Sequence, residues 1–324
     1  MARAIALAQS ADAPRGANPR VGCVIIDADG REVGAGHHRG AGTPHAEVEA
    51  LRAAGPLARG ATAVVSLEPC RHVGRTGPCT TALIEAGITR VVFAQDDPTD
   101  VAGGGADVLR GAGIEVIGGV LADEAAAVNA DWVHMQRTGR PVVVVKMAVS
   151  LDGRVADASG GPTAISGPAA GVLVHELRAQ CDAIAVGTGT LLADDPRLTA
   201  RDPDGRPGDR QPLRVVIGTR PIPDTARVRA GAGEPLHLAT RDLVAALDDL
   251  VARGVQRLLV EGGPTLTAAL LDADLVDEVV WVVAPRVLGA GPVSVPTLVH
   301  PVGLVVREIR AVGDDVVVIA TIAQ

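Results

Sequence analysis

The chain has 324 residues, enough for two domains of ordinary size, and its 47% hydrophobic and 21% charged content is that of a globular protein, not a disordered one. One Phe, two Trp and no Tyr leave few platforms for stacking single-stranded nucleic acid, and a net charge of −8 argues against a broad nucleic-acid-binding face. Four cysteines are too few for a disulfide scaffold and point to a reducing cytoplasm, and no apolar run reaches the ~18 residues of a membrane span.

The chain begins with Arg3 inside a short apolar stretch, which reads as an amphipathic first helix, too short for the ~7–15-residue apolar region of a secretion signal. Residues 21–26 read as a strand closed by the turn Asp27-Ala28-Asp29-Gly30. Pro44 to Leu51 opens a helix with acids in its first turn and Gly55 just past its end. A strand over 61–67, a helix over 78–86 stopped by Gly87, and strands over 88–94 and 114–118 complete a first α/β domain. A break falls at 137–141. Beyond it, Val142 to Ala148 is an apolar run suited to a strand buried on both faces. Strands near 182–187, 213–218, 257–261 and 278–283 alternate with helices near 168–180, 241–253 and 264–272. Residues 201–211 read as a loop, 185–190 as a small-residue turn after a strand, and 302–322 as a terminal strand pair.

Three features of the first half converge on metal chemistry. His45 and Glu47 open one helix, Cys70 follows a strand behind Pro69, and Cys79 opens a second helix behind Pro78. One His and two Cys form a zinc ligand set with a fourth position vacant, as in a catalytic site. Helix N-termini favour the thiolates that must bind, and a water on the ion can ionise near neutral pH. Glu47 lies two residues from His45, so both reach one point only if the helix aims end-on at the metal; Glu47 is then a proton carrier and not a ligand. Singly, each feature is ordinary: a His-Ala-Glu triplet is usually a solvated helix start, and two separated cysteines are usually unrelated buried thiols. Cys23 and Cys181 lack comparable context and are assigned to the core.

The pattern His-x-Glu followed by Pro-Cys and a second Cys is that of zinc deaminases, except that eight residues separate Cys70 from Cys79 where the general signature has two. That longer loop, with Asn18-Pro19-Arg20-Val21-Gly22-Cys23-Val24 upstream and Leu67-Glu68-Pro69-Cys70 before it, resembles the bifunctional riboflavin-biosynthesis deaminase/reductase family. The resemblance implies a cytidine-deaminase-like three-layer α/β/α domain over 1–140 and a dihydrofolate-reductase-like α/β domain over 141–324, in a cytoplasmic homo-oligomer using Zn²⁺ and NADPH. It implies that His45, Cys70 and Cys79 hold zinc and that Glu47 moves protons. Asn18, His72 and Arg75 would bind the phosphoribosyl pyrimidine, with His72 and Arg75 at its phosphate. Ammonia would leave 2,5-diamino-6-(5-phosphoribosylamino)pyrimidin-4(3H)-one to give 5-amino-6-(5-phosphoribosylamino)uracil. The family usually has Ser and Pro where this chain has Arg71 and Gly77.

In the second half, Val260-Glu261-Gly262-Gly263-Pro264-Thr265-Leu266 is a strand, a Gly-rich turn and a helix start, a place where backbone amides favour phosphate. It is not the Gly-x-Gly-x-x-Gly fingerprint, and Gly-rich turns after strands are commonly plain loops. This segment, Lys146 to Arg154, and Leu192-Ala193-Asp194-Asp195-Pro196 are similar to the reductase half of the same family. By position, Ala148, Ala164, Thr190, Asp194, Thr219 and the run Gly263, Pro264, Thr265, Leu266, Thr267, Ala268 and Ala269 would line NADPH. Pro162, Arg178, Leu198, Arg201 and Glu261 would contact the substrate, the two Arg suiting its phosphate. Ribose would be reduced to ribitol by hydride delivery to C1′. Where the family has a Ser-x-Trp-Ile-Thr segment, this chain has Pro162-Thr163-Ala164-Ile165-Ser166, which removes an aromatic wall and one hydrogen bond. Arg220, just after the strand ending at Gly218, suits the 2′-phosphate of NADPH or else is a solvated loop residue. The rival readings are a zinc deaminase of another nucleobase or nucleoside with an inactive second domain, and a non-catalytic zinc-stabilised binding module.

Overall fold

The computed structural model describes all residues except 11, 12, 14, 15, 17, 74–76, 160–162, 209, 232 and 324. The chain divides into two compact units, Met1–Gly139 and Arg140–Gln324.

In the first unit, strands β1 (Gly22–Ile26), β2 (Glu32–His37), β3 (Thr62–Leu67), β4 (Arg90–Gln95) and β5 (Glu115–Ile117) form a sheet in the order β2-β1-β3-β4-β5. β1 runs antiparallel to both β2 and β3, whereas β3, β4 and β5 are parallel. Strand alternation sorts the apolar residues into two layers. Cys23, Ile25, Ala63, Val65, Val91 and Phe93 face helices α2 (Ala46–Ala54), α3 (Cys79–Glu85) and α4 (Gly105–Gly111), through Ala46, Ala50, Leu83 and Leu109 among others. Val24 and Val64 face helix α1 (Ala2–Ala8), while Ile5 of α1 meets Ala94 and Ala125, the latter on α5 (Ala122–Val128). Helix α6 (Ala130–Thr138) ends the unit at Gly139, whose φ of 74° is the left-handed close that glycine permits. The result is the α/β/α sandwich expected. Glycines set how close α2 lies: a Cβ on Gly34 would stand 2.3 Å from the Ala50 carbonyl and one on Gly36 2.6 Å from the Glu49 side chain. That contact fixes where the N-terminus of α2 is aimed.

The second unit carries eight strands: β6 (Val142–Ser150), β7 (Ala183–Gly187), β8 (Leu213–Ile217), β9 (Leu236–Leu238), β10 (Arg257–Glu261), β11 (Glu278–Ala284), β12 (Leu304–Val312) and β13 (Asp315–Ile322), in the order β12-β13-β11-β6-β10-β7-β8-β9. From β11 to β9 all neighbours are parallel, and β13 and β12 add an antiparallel hairpin at one edge. The apolar run at 142–148 is buried on both faces, as expected. Val143 and Val145 enter one core with Leu247, Leu250, Leu270 and Leu271 from α9 (Leu243–Ala252) and α10 (Pro264–Asp272). Val142 and Val144 enter the other with Ala170 and Leu173 from α7 (Pro168–Gln180). Cys23 and Cys181 are core residues, 0% and 3% exposed, as assigned.

One local reading is corrected. The small-residue turn expected at 185–190 is a strand end followed at once by helix α8 (Thr188–Asp194). Thr and Gly are weak helix formers, so local propensity hides this helix, but Leu191 is 2% exposed and its burial in the core offsets that deficit. No helix among the described residues is long and apolar enough to cross a membrane.

Candidate metal centre and reductase site

His45 is the N-cap of α2, and Glu47 stands in the first turn of the same helix. Cys70 follows β3, and Cys79 is the first residue of α3. These elements bring the donor atoms of His45, Cys70 and Cys79 within 4.8 Å of one another. His45 Nδ1 lies 3.1 Å from Cys79 Sγ and 3.6 Å from Cys70 Sγ. A tetrahedral ion with bonds of about 2.0–2.3 Å sets its ligands ~3.6 Å apart, so the donor set and its spacing fit zinc. The Cys79 backbone N–H donates to Cys70 Sγ at 3.4 Å, and the Thr80 N–H donates to the Cys70 carbonyl at 3.2 Å, so the start of α3 holds the loop that carries Cys70.

The electrostatics are those of a site built for charge. Cys70 is pushed down to about 4, chiefly because the Cys79 side chain hydrogen-bonds it, with the His45 imidazole and the Cys79 N–H adding to this against burial. Cys79 is raised by that same hydrogen bond, by burial and by the Glu47 charge: the two sulfurs share one proton. Glu47 is 3% exposed, and burial followed by the Cys70 charge pushes it up to about 7. Its carboxyl also contacts the Cys79 side chain, so it stands beside the sulfurs without belonging to the donor set.

Asn18 is brought to this site through a residue that sequence reading missed. The Asn18 side-chain amide donates to His38 Nε2 at 3.0 Å, while His38 Nδ1 bonds the Pro44 carbonyl at 3.2 Å. These two bonds assign a neutral His38 protonated on Nδ1. Its ring meets the His45 ring edge-on, with centroids 5.3 Å apart. Glu68 braces the Cys70 loop from behind, accepting from Ala106 N at 2.8 Å and Asp97 N at 3.2 Å. Arg71 donates to the Asp100 carbonyl at 3.0 Å and so tethers the loop after Cys70. His72 Nδ1 is buried with no partner among the described residues. Arg75 and Pro162 lie outside the described residues.

In the second unit, the cofactor candidates gather at the carboxyl ends of the parallel strands, where open α/β sheets bind ligands. Ala148 is on β6, Gly263 to Ala269 follow β10, Thr190 and Asp194 follow β7, and Thr219 follows β8. Gly262 and Gly263 have φ of 68° and 82°, and a Cβ on Gly263 would stand 2.8 Å from Thr190 Oγ1. Only glycine fits that turn, which leaves backbone open beside the N-terminus of α10. Thr267 Oγ1 is buried without a partner in the described residues. Arg220 Nε donates to Thr188 Oγ1 at 3.3 Å, placing a cation beside the start of α8. These features fit a dinucleotide with an extra phosphate. Ala164 is exposed, its carbonyl accepting from Arg286 at 2.9 Å.

The substrate candidates Arg178 and Glu261 form a bidentate pair, with both N···O distances 2.6 Å and side chains 15% and 12% exposed. Leu198 is buried with φ of 51°. Sequence reading gave Lys146 no role, yet it pairs in register with Glu261 on the adjacent strand. Burial, then the Arg178 charge, lowers its pKa against the pull of Glu261. A lysine inside an otherwise apolar strand was the available signal.

Comparison with known proteins agrees with this geometry. Residues 1–95 match the cytidine and deoxycytidylate deaminase zinc-binding region. Residues 141–318 match the RibD C-terminal domain. The riboflavin biosynthesis protein RibD of Mycobacterium tuberculosis H37Rv is 50% identical, over 85% of this chain and 81% of its own. That of Escherichia coli K12 is 41% identical, over 98% and 96%. Among solved structures, Acinetobacter baumannii RibD superposes with a TM-score of 0.85 at 35% identity, covering 99% of this chain and 97% of that one. A Thermotoga maritima diaminohydroxyphosphoribosylaminopyrimidine deaminase/5-amino-6-(5-phosphoribosylamino)uracil reductase superposes with a TM-score of 0.82 at 32% identity, covering 100% and 97%.

Proposed function

Because the chain belongs to the RibD family of riboflavin-biosynthesis deaminase–reductases, we propose that residues 1–140 deaminate 2,5-diamino-6-(5-phosphoribosylamino)pyrimidin-4(3H)-one and that residues 141–324 reduce the ribosyl group of the product to ribityl with NADPH. The observation that carries the reading is the convergence of His45, Cys70 and Cys79 beside a buried carboxyl, Glu47.

His45, Cys70 and Cys79 would hold the zinc, whose Lewis acidity lets a water lose its proton near neutral pH. Glu47 is placed to accept that proton and deliver it to the departing amine, a task suited to a buried carboxyl held beside the sulfurs. His38 holds the amide of Asn18 in one orientation, which leaves the Asn18 carbonyl oxygen to meet an N–H of the pyrimidine. His72 and Arg75 are suited to the substrate's phosphate.

In the other half, NADPH supplies a hydride. Gly263 to Ala269 would take its pyrophosphate at the N-terminus of α10, and Thr190, Asp194, Thr219, Ala148 and Ala164 would line the remainder. Arg178, Glu261, Leu198, Arg201 and Pro162 would contact the substrate. Arg220 faces the 2′-phosphate in this reading. Arg220→Ala should raise KM for NADPH about tenfold and leave KM for NADH unchanged, by steady-state assay; equal effects on both would remove the assignment. Ala164 would leave one wall of the cofactor site without an aromatic face, so Ala164→Trp should lower KM for NADPH several-fold. An unchanged KM would contradict that.

The experiment for the whole reading supplies the diaminopyrimidine phosphoriboside with NADPH and follows ammonia and the absorbance at 340 nm together. One ammonia and one NADPH per substrate are expected. Ammonia without NADPH oxidation would favour the rival with an inactive second domain, which the matches over both halves do not support.

We further infer a cytoplasmic homo-oligomer. None of the four cysteines is in a disulfide, which suits a reducing compartment. Strand β12 lies at the sheet edge and exposes Leu304, Val305, Val306 and Ile309, a template for pairing with another chain. Sedimentation should give a mass above that of one chain, shifted towards it by Ile309→Lys; a monomeric wild type contradicts this.

A further inference from the structure

Strands β6 and β11 are parallel neighbours that end together, with Ala284 beside Ser150. The segments after them leave the sheet at the same end, the one that carries Ala148 and the turn after β10. They are fastened to each other along their length. Leu151 N donates to the Arg286 carbonyl at 2.7 Å, Val155 N to the Pro292 carbonyl at 3.0 Å and Ser294 N to the Gly153 carbonyl at 3.0 Å. Gly291 has φ of 119°, and a Cβ there would stand 2.1 Å from the Ala156 carbonyl oxygen, so the two backbones approach too closely for another residue.

Asp152 stands at the centre of this clasp. Its Oδ1 accepts from Leu288 N at 3.0 Å and from the Ser150 hydroxyl at 2.6 Å, and its Oδ2 accepts from Gly289 N at 2.7 Å. The Ser150 hydroxyl accepts in turn from Arg154 N at 2.9 Å. Two consecutive N–H groups held by one carboxylate fix the direction of the chain that carries them. Two residues before Leu288, that chain carries Arg286, whose guanidinium donates to the Ala164 carbonyl at 2.9 Å, 122 residues away in the sequence. Ala164 is exposed and its methyl group buries little, so its backbone is held from the other segment.

We propose that Asp152 and Arg286 are positioning residues of the reductase half: Asp152 fixes the segment over 286–289 through both carboxylate oxygens, and Arg286 passes that placement to Ala164, so that one wall of the cofactor site is set from the end of β11. The inference rests on the reductase reading above and adds to it two residues that act through a third. The electrostatics support it. The Ser150 hydroxyl, then the Leu288 N–H, lower the Asp152 carboxyl to about 2, with the Gly289 N–H adding to this. The carboxylate is therefore charged at any working pH, and the clasp does not loosen as pH falls from neutral to 5.

Two measurements test the proposal. The first is the reductase KM for NADPH against that for 5-amino-6-(5-phosphoribosylamino)uracil. Asp152→Ala and Arg286→Ala should each raise the KM for NADPH about tenfold, because a small misplacement of the site is costly, and leave the other KM and ammonia release unchanged. Both act on one segment, so the double variant should be no worse than the more impaired single one. Arg286→Lys keeps a donor for the Ala164 carbonyl and should recover most of the loss. The second measurement is hydrogen exchange without NADPH, read by mass spectrometry on peptides covering 163–167. Exchange there should quicken several-fold in Asp152→Ala, although the substituted residue lies outside those peptides. Losses that multiply in the double variant, equal changes in both KM values, or unchanged exchange over 163–167 would overturn the assignment. A wild type that oxidises no NADPH refutes the reductase reading itself, and the exchange measurement then decides the coupling alone.

Discussion

Glu47→Gln should release no measurable ammonia while keeping its zinc. Glutamine preserves the shape and the backbone of α2, so His45, Cys70 and Cys79 keep their places, but an amide cannot take up and return a proton. General acid–base groups contribute about 10²–10⁴-fold, and here one carboxyl serves both transfers, so a loss of at least about 10³-fold is expected. Burial raises Glu47 to about 7, and removing it takes no charge from the donor set. The measurement is ammonia release with metal content on the same sample. A variant that lost zinc together with activity would make Glu47 a ligand or a structural support. A variant that released ammonia at the wild-type rate would remove Glu47 as the proton carrier, whereas a wild type that binds zinc and releases no ammonia would favour the non-catalytic zinc module, because a structural ion needs no proton carrier.

The second large effect is on the other half. Glu261→Gln should abolish NADPH oxidation with the pre-deaminated substrate and leave ammonia release unchanged. The carboxylate holds Arg178 through two bonds of 2.6 Å in a mostly buried setting, so the amide leaves a guanidinium without its counter-charge. Breaking such a pair costs about 3–5 kcal/mol. Glu261 also stabilises the charged form of Lys146, so the variant alters three groups at once. The two activities assayed separately give the test. Loss of both would indicate unfolding, which circular dichroism reads directly, and loss of neither would remove Glu261 from the substrate site.

The cluster of His45, Cys70 and Cys79 was legible in the sequence because each of its groups sits where local rules are strong. Pro44, Pro69 and Pro78 mark element ends, and the His-x-Glu spacing demands a helix seen end-on, which α2 provides. The apolar run at 142–148 and the alternation of its side chains likewise needed nothing beyond pattern. What stayed hidden depends on partners far away in the chain. His38 matters because of Asn18, twenty residues earlier, and Arg178 because of Glu261, 83 residues later. No local pattern carries such pairings. Strand β2 was missed because Gly34 and Gly36 weaken its strand signal, and those glycines are there for the approach of α2. Helices α4 and α8 each hold glycine in the first turns and are stabilised by burying Leu109 and Leu191, a tertiary effect that propensity does not report. Lys146 was visible but was given no role, because a lysine inside an apolar strand acquires meaning only beside Glu261.

Metal analysis of the purified, undenatured protein tests the central claim most directly. One zinc per chain in the wild type, and none in Cys70→Ser or Cys79→Ser prepared in the same way, is the predicted result. A wild type without zinc, or serine variants that retain it in full, would contradict the assignment of His45, Cys70 and Cys79 to a single ion.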